Sequence, residues 1–233
     1  MIDILLAGVG GQGTVLAAKV LAQAAQSKGW QVRTAETIGM AQRGGNVTSH
    51  VRMGSHGEAI YSPLITPGTA DMVIALEPGE AARALPYLAP GGVLVTATTA
   101  IPPVTAALAS QPYRAGDVVA ALANSLQAEA SREQAAESIV APNTVTADQD
   151  ASTDGVEGYP VPLFIPVDDE ALVREAGAGS RKSLNMMLLA VAVAQGRVPL
   201  TVDELKDAVR ACVKPQFVAM NLAAIDTAVA NFG

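Results

Sequence analysis

The sequence predicts an α/β protein. We expect a Rossmann-like, mostly parallel sheet with an inserted hairpin, flanking helices and a helical C-terminal extension. The chain opens with an apolar run at residues 4–7, a glycine-rich turn and a long helical stretch, which together form the first half of a βαβ unit. Short apolar segments then alternate with helical ones, and the last quarter of the chain is helical in pattern. Half of the 233 residues are hydrophobic but only 3% are aromatic, so the core must be aliphatic.

The glycine-rich turn from Gly8 to Gly13 has the spacing G-x-G-x-x-G. Glycine adopts backbone angles closed to other residues and lets another group approach the main chain. The first N–H groups of the helix, at the positive end of its dipole, then face the crevice above the sheet. Gln12 offers a donor and an acceptor to that crevice. We predict a cofactor-binding loop of Gly8, Gly10, Gly11, Gln12, Gly13 and Thr14, and a turn that serves packing alone is the alternative.

Strands are predicted from apolar runs and alternation between glycine and proline breaks. They cover residues 2–7, 31–35, 46–53, 71–76, 93–96 and 162–167. Residues 46–53 alternate in polarity, and residues 58–61 return after a turn at 54–57. These two segments predict a hairpin inserted into the sheet.

Helices are predicted where capping residues flank an apolar period. They cover residues 14–27, 77–87, 118–129, 168–176, 183–195, 202–212 and 216–230. Gly29 ends the first helix, Asp117 can cap the third, and Thr201 with Glu204 forms a capping box. Residues 1–233 are expected to form one domain with an insertion at about 131–160. Within it, residues 141–158 are acidic and rich in small side chains, which predicts a mobile surface loop.

Charge and cysteine content limit the possible functions. The net charge is −7 and the pI about 4.8, which argues against a nucleic-acid surface. The single cysteine, Cys212, excludes an internal disulfide, a cysteine-based zinc site and an iron–sulfur cluster held by this chain alone. We expect no metal site and, since there is neither a basic leader nor a membrane-length apolar run, a cytoplasmic protein without membrane contact.

Several other segments are candidate sites. The loop residues Gln42, Arg43, Gly44, Gly45 and Asn46 follow the second strand and are predicted to face a substrate or partner, with Arg43 able to bind a carboxylate or phosphate. A surface arginine in a flexible turn is the alternative. Residues 180–183 could bind an anion at a helix start, although a capped helix with two solvated cations is the simpler interpretation.

No catalytic residue is expected in this chain. The two histidines, His50 and His56, lack an evident carboxylate partner and are expected to be solvated, and Cys212 lacks a positioned base. The motifs G-x-x-x-x-G-K-[ST], H-E-x-x-H and G-x-S-x-G are missing. The chain therefore shows no self-sufficient catalytic constellation.

Taken together, these motifs resemble the gamma-type subunits of 2-oxoacid:ferredoxin oxidoreductases, and most closely the branch of that family that acts on indolepyruvate. The resemblance rests on residues 8–13 (GVGGQG), 41–49 (AQRGGNVTS), 62–63 (SP), 71–78 (DMVIALEP) and 185–186 (NM). It covers most of the chain, with residues 123–160 as the main departure. It implies a single pyruvate/ketoisovalerate oxidoreductase gamma-type domain.

The resemblance also implies a reaction and partners. The assembled enzyme would decarboxylate a 2-oxo acid oxidatively to an acyl-CoA and pass electrons to ferredoxin, using thiamine diphosphate, iron–sulfur clusters and coenzyme A. This chain lacks the thiamine motif, since Gly116-Asp117 is not followed by an asparagine pair. It would therefore support a larger subunit that carries the thiamine and the clusters, meet ferredoxin only indirectly, and could form a homodimer when isolated.

Two other functions remain open from the sequence. The first is a stand-alone NAD(P)-dependent oxidoreductase, in which Glu36, after the second strand, would bind the ribose. The second is a nucleotide-sensing module without chemistry.

Overall fold

The computed structural model describes residues 1–39, 45–102, 113–140, 162–177 and 181–233. The strands are β1 Ile2–Val9, β2 Gln31–Ile38, β3 Asn46–Gly54, β4 Ala70–Ala75, β5 Leu88–Ala97 and β6 Leu163–Val167. The helices are α1 Thr14–Ser27, α2 Pro78–Ala84, α3 Ala115–Val140, α4 Asp169–Glu175, α5 Leu184–Ala194, α6 Val202–Cys212 and α7 Pro215–Phe232. Single 3₁₀ turns lie at Leu85–Tyr87 and Arg181–Ser183.

The six strands form one sheet in the order β2-β3-β1-β4-β5-β6. Strands β1, β4, β5 and β6 pair in parallel, whereas β3 is antiparallel to both of its neighbours. The directions of β1 and β2 are therefore the same, and both strands end at the edge of the sheet where the glycine loop lies. This confirms the expected mostly parallel α/β sheet.

Aliphatic side chains cover both faces of the sheet. One face packs Ile4 and Leu6 of β1 against α1, α5, α6 and α7, in a core that includes nearly all of α5. The other face packs Leu5 and Ala7 against α2, the start of α3 and Ile65. Burying both faces explains why the parallel strands are continuous apolar runs rather than alternating ones.

The inserted hairpin differs from the prediction. Strand β3 pairs along its whole length with β2, in register from Gln31 opposite Gly54 to Ile38 opposite Val47. Residues 58–61, expected to be the returning strand, have no regular structure. The alternation of residues 46–53 correctly predicted an antiparallel strand. The predicted partner, residues 58–61, was wrong: the partner is β2, which continues beyond its apolar part through Glu36 to Ile38.

Several helices begin or end at the capping residues that the sequence predicts. Gly29 has φ +78° after α1, Asp168 accepts a hydrogen bond from the Ala171 N–H, and Thr201 and Glu204 form a complete capping box. Helix α3 is longer than expected, since it begins at Ala115 and continues to Val140, so residues 131–140 are helical. The predicted mobile loop at 141–158 lies outside the described residues. Within the parts of the chain that the structure describes, no helix is long and apolar enough to cross a membrane.

Candidate functional site

Both ends of the Gln12 side-chain amide hold the glycine loop in place. Its Oε1 accepts a hydrogen bond from the Val9 N–H at 2.6 Å, and its Nε2 donates to the Leu76 carbonyl at 2.7 Å. The amide thus links the end of β1 to the residue after β4. We expected Gln12 to present these groups to the crevice. Each amide atom already makes one hydrogen bond to a backbone group at a strand end, and the side chain also lines the cavity described below.

At two positions of the loop, neighbouring side chains leave little room for a residue larger than glycine. At Gly13, φ is +82° and a Cβ atom would lie 2.6 Å from Nδ2 of Asn185, which donates to the Gly13 carbonyl at 3.1 Å. At Gly8, a Cβ atom would lie 3.0 Å from the side-chain oxygens of Gln12 and Thr14. Thr14 is buried, so its hydroxyl faces the strand end rather than the crevice. The glycines let β1, α1 and α5 meet closely.

The loop between β2 and β3 reaches the glycine loop. The Gly10 N–H donates to the Gly45 carbonyl at 2.8 Å, and Asn46 lies opposite Val9 in the β1–β3 ladder. This brings together the two segments that the sequence singled out. Gln42, Arg43 and Gly44 lie outside the described residues.

Two cavities open beside the glycine loop, and Val9 and Ile101 border both. The first, which we call the glycine-loop cavity, has a volume of about 470 Å³. Its lining comprises the loop, two cations and four apolar or amide side chains: Val9, Gly10, Gly11, Gln12, Gly13, Leu16, Ile101, Arg181, Lys182, Leu184 and Asn185. Polar groups of the loop, Asn185 and the two cations therefore lie among apolar side chains in this cavity.

The N-terminus of helix α1 borders this cavity through Gly13 and Leu16. Its N-cap is Gly13, which has no side chain to accept hydrogen bonds from the first turn. The first N–H groups of a helix have no partner within the helix. With the dipole behind them, they favour an anion at this position.

Arg181 reaches the glycine-loop cavity from a buried anchor. Its Nη2 lies 2.6 Å from Oδ2 of Asp169, a carboxylate with 0% exposure at the start of α4. The other carboxylate oxygen accepts hydrogen bonds from the N–H groups of Thr98 and Thr99 at 3.1 and 2.9 Å. Arg181 is thus an ordered cation, whereas the sequence favoured a solvated one.

The second cavity, of about 390 Å³, is acidic. The Glu77 carboxylate is buried and accepts hydrogen bonds from the Tyr113 hydroxyl at 2.5 Å and from the Glu80 N–H at 3.0 Å. Burial raises the pKa of Glu80, opposed by the Arg83 guanidinium that pairs with it. Burial and the neighbouring Glu77 raise the pKa of Tyr113, so the phenol stays protonated and donates. This cavity favours cationic or donor groups over anions.

Glu36 cannot play the ribose-binding role. In a dinucleotide-binding fold the acidic residue ends the strand next to β1. Here β3 lies between them, and Glu36 is opposite Ser49, which is opposite Leu6. Two strand spacings separate β2 from β1, about 9–10 Å.

The surroundings of His50, His56 and Cys212 do not indicate a catalytic role. His50 is buried, its Nδ1 accepts from the Ile65 N–H at 3.2 Å, and burial lowers its pKa, so it is neutral and not solvated as expected. His56 is exposed. Cys212 is half-buried, and burial raises the pKa of its thiol, which disfavours a nucleophilic thiolate.

Sequence reasoning missed the two side chains that organise the cavities. Asp169 was placed only within the helix predicted over residues 168–176, and Tyr113 was not singled out. The pairs Asp169–Arg181 and Glu77–Tyr113 join segments 12 and 36 residues apart across the crevice, and no local spacing marks them. An aspartate two residues after the apolar run of β6 was the one available signal in the sequence.

Comparison with known proteins agrees with the fold. The sequence profile of a family described as "Pyruvate ferredoxin/flavodoxin oxidoreductase" matches residues 3–231. The chain is 29% identical to indolepyruvate oxidoreductase subunit IorB of Pyrococcus horikoshii, over 97% of this chain and 94% of that protein. It is 31% identical to the subunit of the same name from Archaeoglobus fulgidus, over 96% and 92%. The crystal structure of the gamma subunit of a keto/oxoacid ferredoxin oxidoreductase from Geobacter sulfurreducens matches 99% of this chain and 97% of its own, with a TM-score of 0.57 and 19% identity.

Proposed function

The chain belongs to the pyruvate ferredoxin/flavodoxin oxidoreductase family, and from that premise we propose that it serves an enzyme acting on indolepyruvate or a related aryl 2-oxo acid. Its role is that of the gamma-type subunit of a 2-oxoacid:ferredoxin oxidoreductase. The observation that carries the substrate class is the near full-length similarity to indolepyruvate oxidoreductase subunits from two organisms.

The residues of this chain do not fit an iron–sulfur cluster, and its sequence lacks the thiamine motif. A cluster needs several cysteine thiolates, and the chain has one, half-buried with its Sγ 3.9 Å from the Lys19 carbonyl. Across the described ranges there is no group of three or more His, Cys, Asp or Glu side chains that could hold a metal ion. We therefore assign the thiamine and the clusters to a larger partner subunit, with ferredoxin meeting that subunit rather than this chain.

The glycine-loop cavity does fit the phosphate groups of coenzyme A. First-turn N–H groups of α1, a main chain left open by Gly11, and the cations Arg181 and Lys182 are the donor types that phosphate oxygens need. Coenzyme A would supply the thiol that accepts the acyl group. This chain would bind and orient its phosphates at the edge of the sheet, next to Gly45 and Asn46.

The NAD(P)-dependent alternative is not supported. The β2–β3 hairpin moves Glu36 away from the glycine loop, and both ends of Gln12 are engaged within the chain. We expect the isolated chain to bind coenzyme A and not NADH.

Titration calorimetry of the isolated chain with each compound tests this assignment. Micromolar binding of NADH, about −8 kcal/mol, that is lost in Glu36→Ala would contradict it. Affinity purification of the tagged chain from its source cells tests the partner. We expect a larger protein with thiamine diphosphate and iron–sulfur absorption to copurify, and sedimentation of the isolated chain tests whether it pairs with itself.

A further inference from the structure

Asp169 lies where three segments meet beside the glycine-loop cavity. Its side chain is fully buried, one oxygen accepts hydrogen bonds from the Thr98 and Thr99 N–H groups, and the other contacts Nη2 of Arg181 at 2.6 Å. A buried carboxylate is stable only if its charge is compensated in this way. The aspartate therefore fixes Arg181 relative to the turn that follows β5, close to Ile101 at the border of the cavity.

The anchored guanidinium still has donors for a ligand. Nη2 is buried and forms an ion pair with Oδ2 of Asp169, although the geometry of this contact is not that of a hydrogen bond. The Arg181 side chain is 31% exposed and lines the cavity with Gly11 and Gly13. Arginine carries five N–H donors in a rigid fork, so one end of the fork can be held while the other faces the cavity. Without Asp169, a partly buried guanidinium would turn toward solvent.

We propose that Asp169 is a positioning residue, which holds the Arg181 guanidinium toward the glycine loop so that Arg181 binds a phosphate group of the acyl-accepting co-substrate. The proposal rests on the proposed function, because that function supplies coenzyme A as the phosphate-bearing ligand. A phosphate fits better than the carboxylate of a 2-oxo acid, since two cations and a helix N-terminus converge on this cavity.

Coulomb attraction alone predicts that removing Asp169 would strengthen anion binding, whereas our proposal predicts weaker binding. Asp169→Asn deletes a negative charge near the cavity, which by itself strengthens anion binding. The amide also places donor hydrogens against Nη2, so the guanidinium loses its orientation. We expect the orienting effect to exceed the charge effect, because the carboxylate charge is already compensated by Arg181 and two N–H groups.

The experiment is a double-mutant cycle on the full-length chain, with coenzyme A and inorganic pyrophosphate as calorimetric probes. The variants are Asp169→Asn, Arg181→Gln, both together, and Arg181→Lys for the case that Asp169→Asn fails to fold. Asp168→Asn is the matched control, because it removes the same charge one residue away at an exposed cap that asparagine also satisfies.

We expect Asp169→Asn and Arg181→Gln each to raise the Kd for both probes by about tenfold or more, and Asp168→Asn to leave it unchanged. The double variant should bind no more weakly than Arg181→Gln, because Asp169 acts only through Arg181. In an Arg181→Lys background, Asp169→Asn should have less than half of its effect on the Kd. A lysine has a single charged nitrogen, so it cannot pair with Asp169 at one end and bind the ligand at the other.

Several outcomes would overturn the proposal: tighter binding by Asp169→Asn, additive losses in the double variant, or wild-type chain that binds neither probe at millimolar concentration. Displacement of pyrophosphate by indolepyruvate at its KM would assign the cavity to the substrate carboxylate and also overturn it. In the purified complex, Asp169→Asn should raise the KM for coenzyme A and leave kcat unchanged. A complex that reduces ferredoxin normally with an unchanged KM would contradict the positioning role while the proposed function stands.

Discussion

At the scale of single residues, Gln12 stabilises the glycine loop through two hydrogen bonds to backbone groups of different strands. Gln12→Ala leaves the Val9 N–H and the Leu76 carbonyl without these partners. We expect the free energy of unfolding to fall by about 1–3 kcal/mol, the usual cost of unpaired buried backbone groups. Urea denaturation followed by circular dichroism measures this change. Gln26→Ala, at an exposed position on α1, is the control and should be near neutral.

Two glycines of the same loop should respond differently to alanine. Gly11 and Gly13 both have positive φ, so each alanine variant incurs backbone strain of about 1 kcal/mol. At Gly11 nothing lies within 4 Å of the added Cβ, whereas at Gly13 the Cβ would meet Asn185 at 2.6 Å. Gly13→Ala should therefore lower the melting temperature clearly more than Gly11→Ala. Shortening the neighbour, in Gly13→Ala/Asn185→Ala, should recover part of the loss, and equal melting temperatures for the single variants would show that the clash is absent.

His50 should make stability depend on pH. Burial lowers its pKa below 6.5, so the folded chain binds fewer protons than the unfolded chain as the pH falls through 6.5. Its contribution to stability is complete above that value and is lost progressively below it. We expect His50→Asn, whose oxygen can still accept from the Ile65 N–H, to flatten the dependence of the unfolding free energy on pH below 6.5.

The control for this experiment is Gln26→Asn, at an exposed position without a titratable group, which should keep the wild-type slope. Unfolding free energies at a series of pH values give the slopes. Identical slopes in wild type and His50→Asn would mean that the pKa of His50 is the same in the folded and the unfolded chain.

At the scale of elements, the β2–β3 hairpin determines which residues lie beside the glycine loop. It separates β2 from β1 and places the Gly45 carbonyl on the Gly10 N–H. A dinucleotide-binding sheet would have β2 in the place of β3. The glycine loop is thus retained while the ribose-binding carboxylate is displaced, which is why the same glycine spacing supports a different role here.

The sequence predicted what is local and missed what is not. The boundaries of α1, the capping box at Thr201 and the buried β4 run depend on neighbouring residues, and the structure confirms them. Strand partners depend on distant residues, so the polar end of β2 was taken for a loop. The donor capacity of Gln12 was recognised, but its direction is set by the Leu76 carbonyl, 64 residues away.

At the scale of the whole molecule, the chain separates opposite charges on two sides of one crevice. The glycine-loop cavity with Arg181 adjoins an acidic cavity with Glu77 and Glu80, and Val9 and Ile101 border both. The chain as a whole carries a net charge of −7, so a cavity whose described lining has two cations and no acidic residue is a local exception. This distribution suits a subunit that binds phosphates at one position and meets basic or donor groups at the next.

The central claim is that this chain is required by, but does not itself contain, the redox machinery of a 2-oxoacid:ferredoxin oxidoreductase. The most direct measurement is ferredoxin reduction with indolepyruvate and coenzyme A, by the chain alone, by the copurified larger subunit alone and by the two recombined. We predict turnover only in the recombined sample, dependent on both coenzyme A and the 2-oxo acid. Full activity of the larger subunit without this chain, or NAD-dependent turnover by this chain alone, would contradict the account.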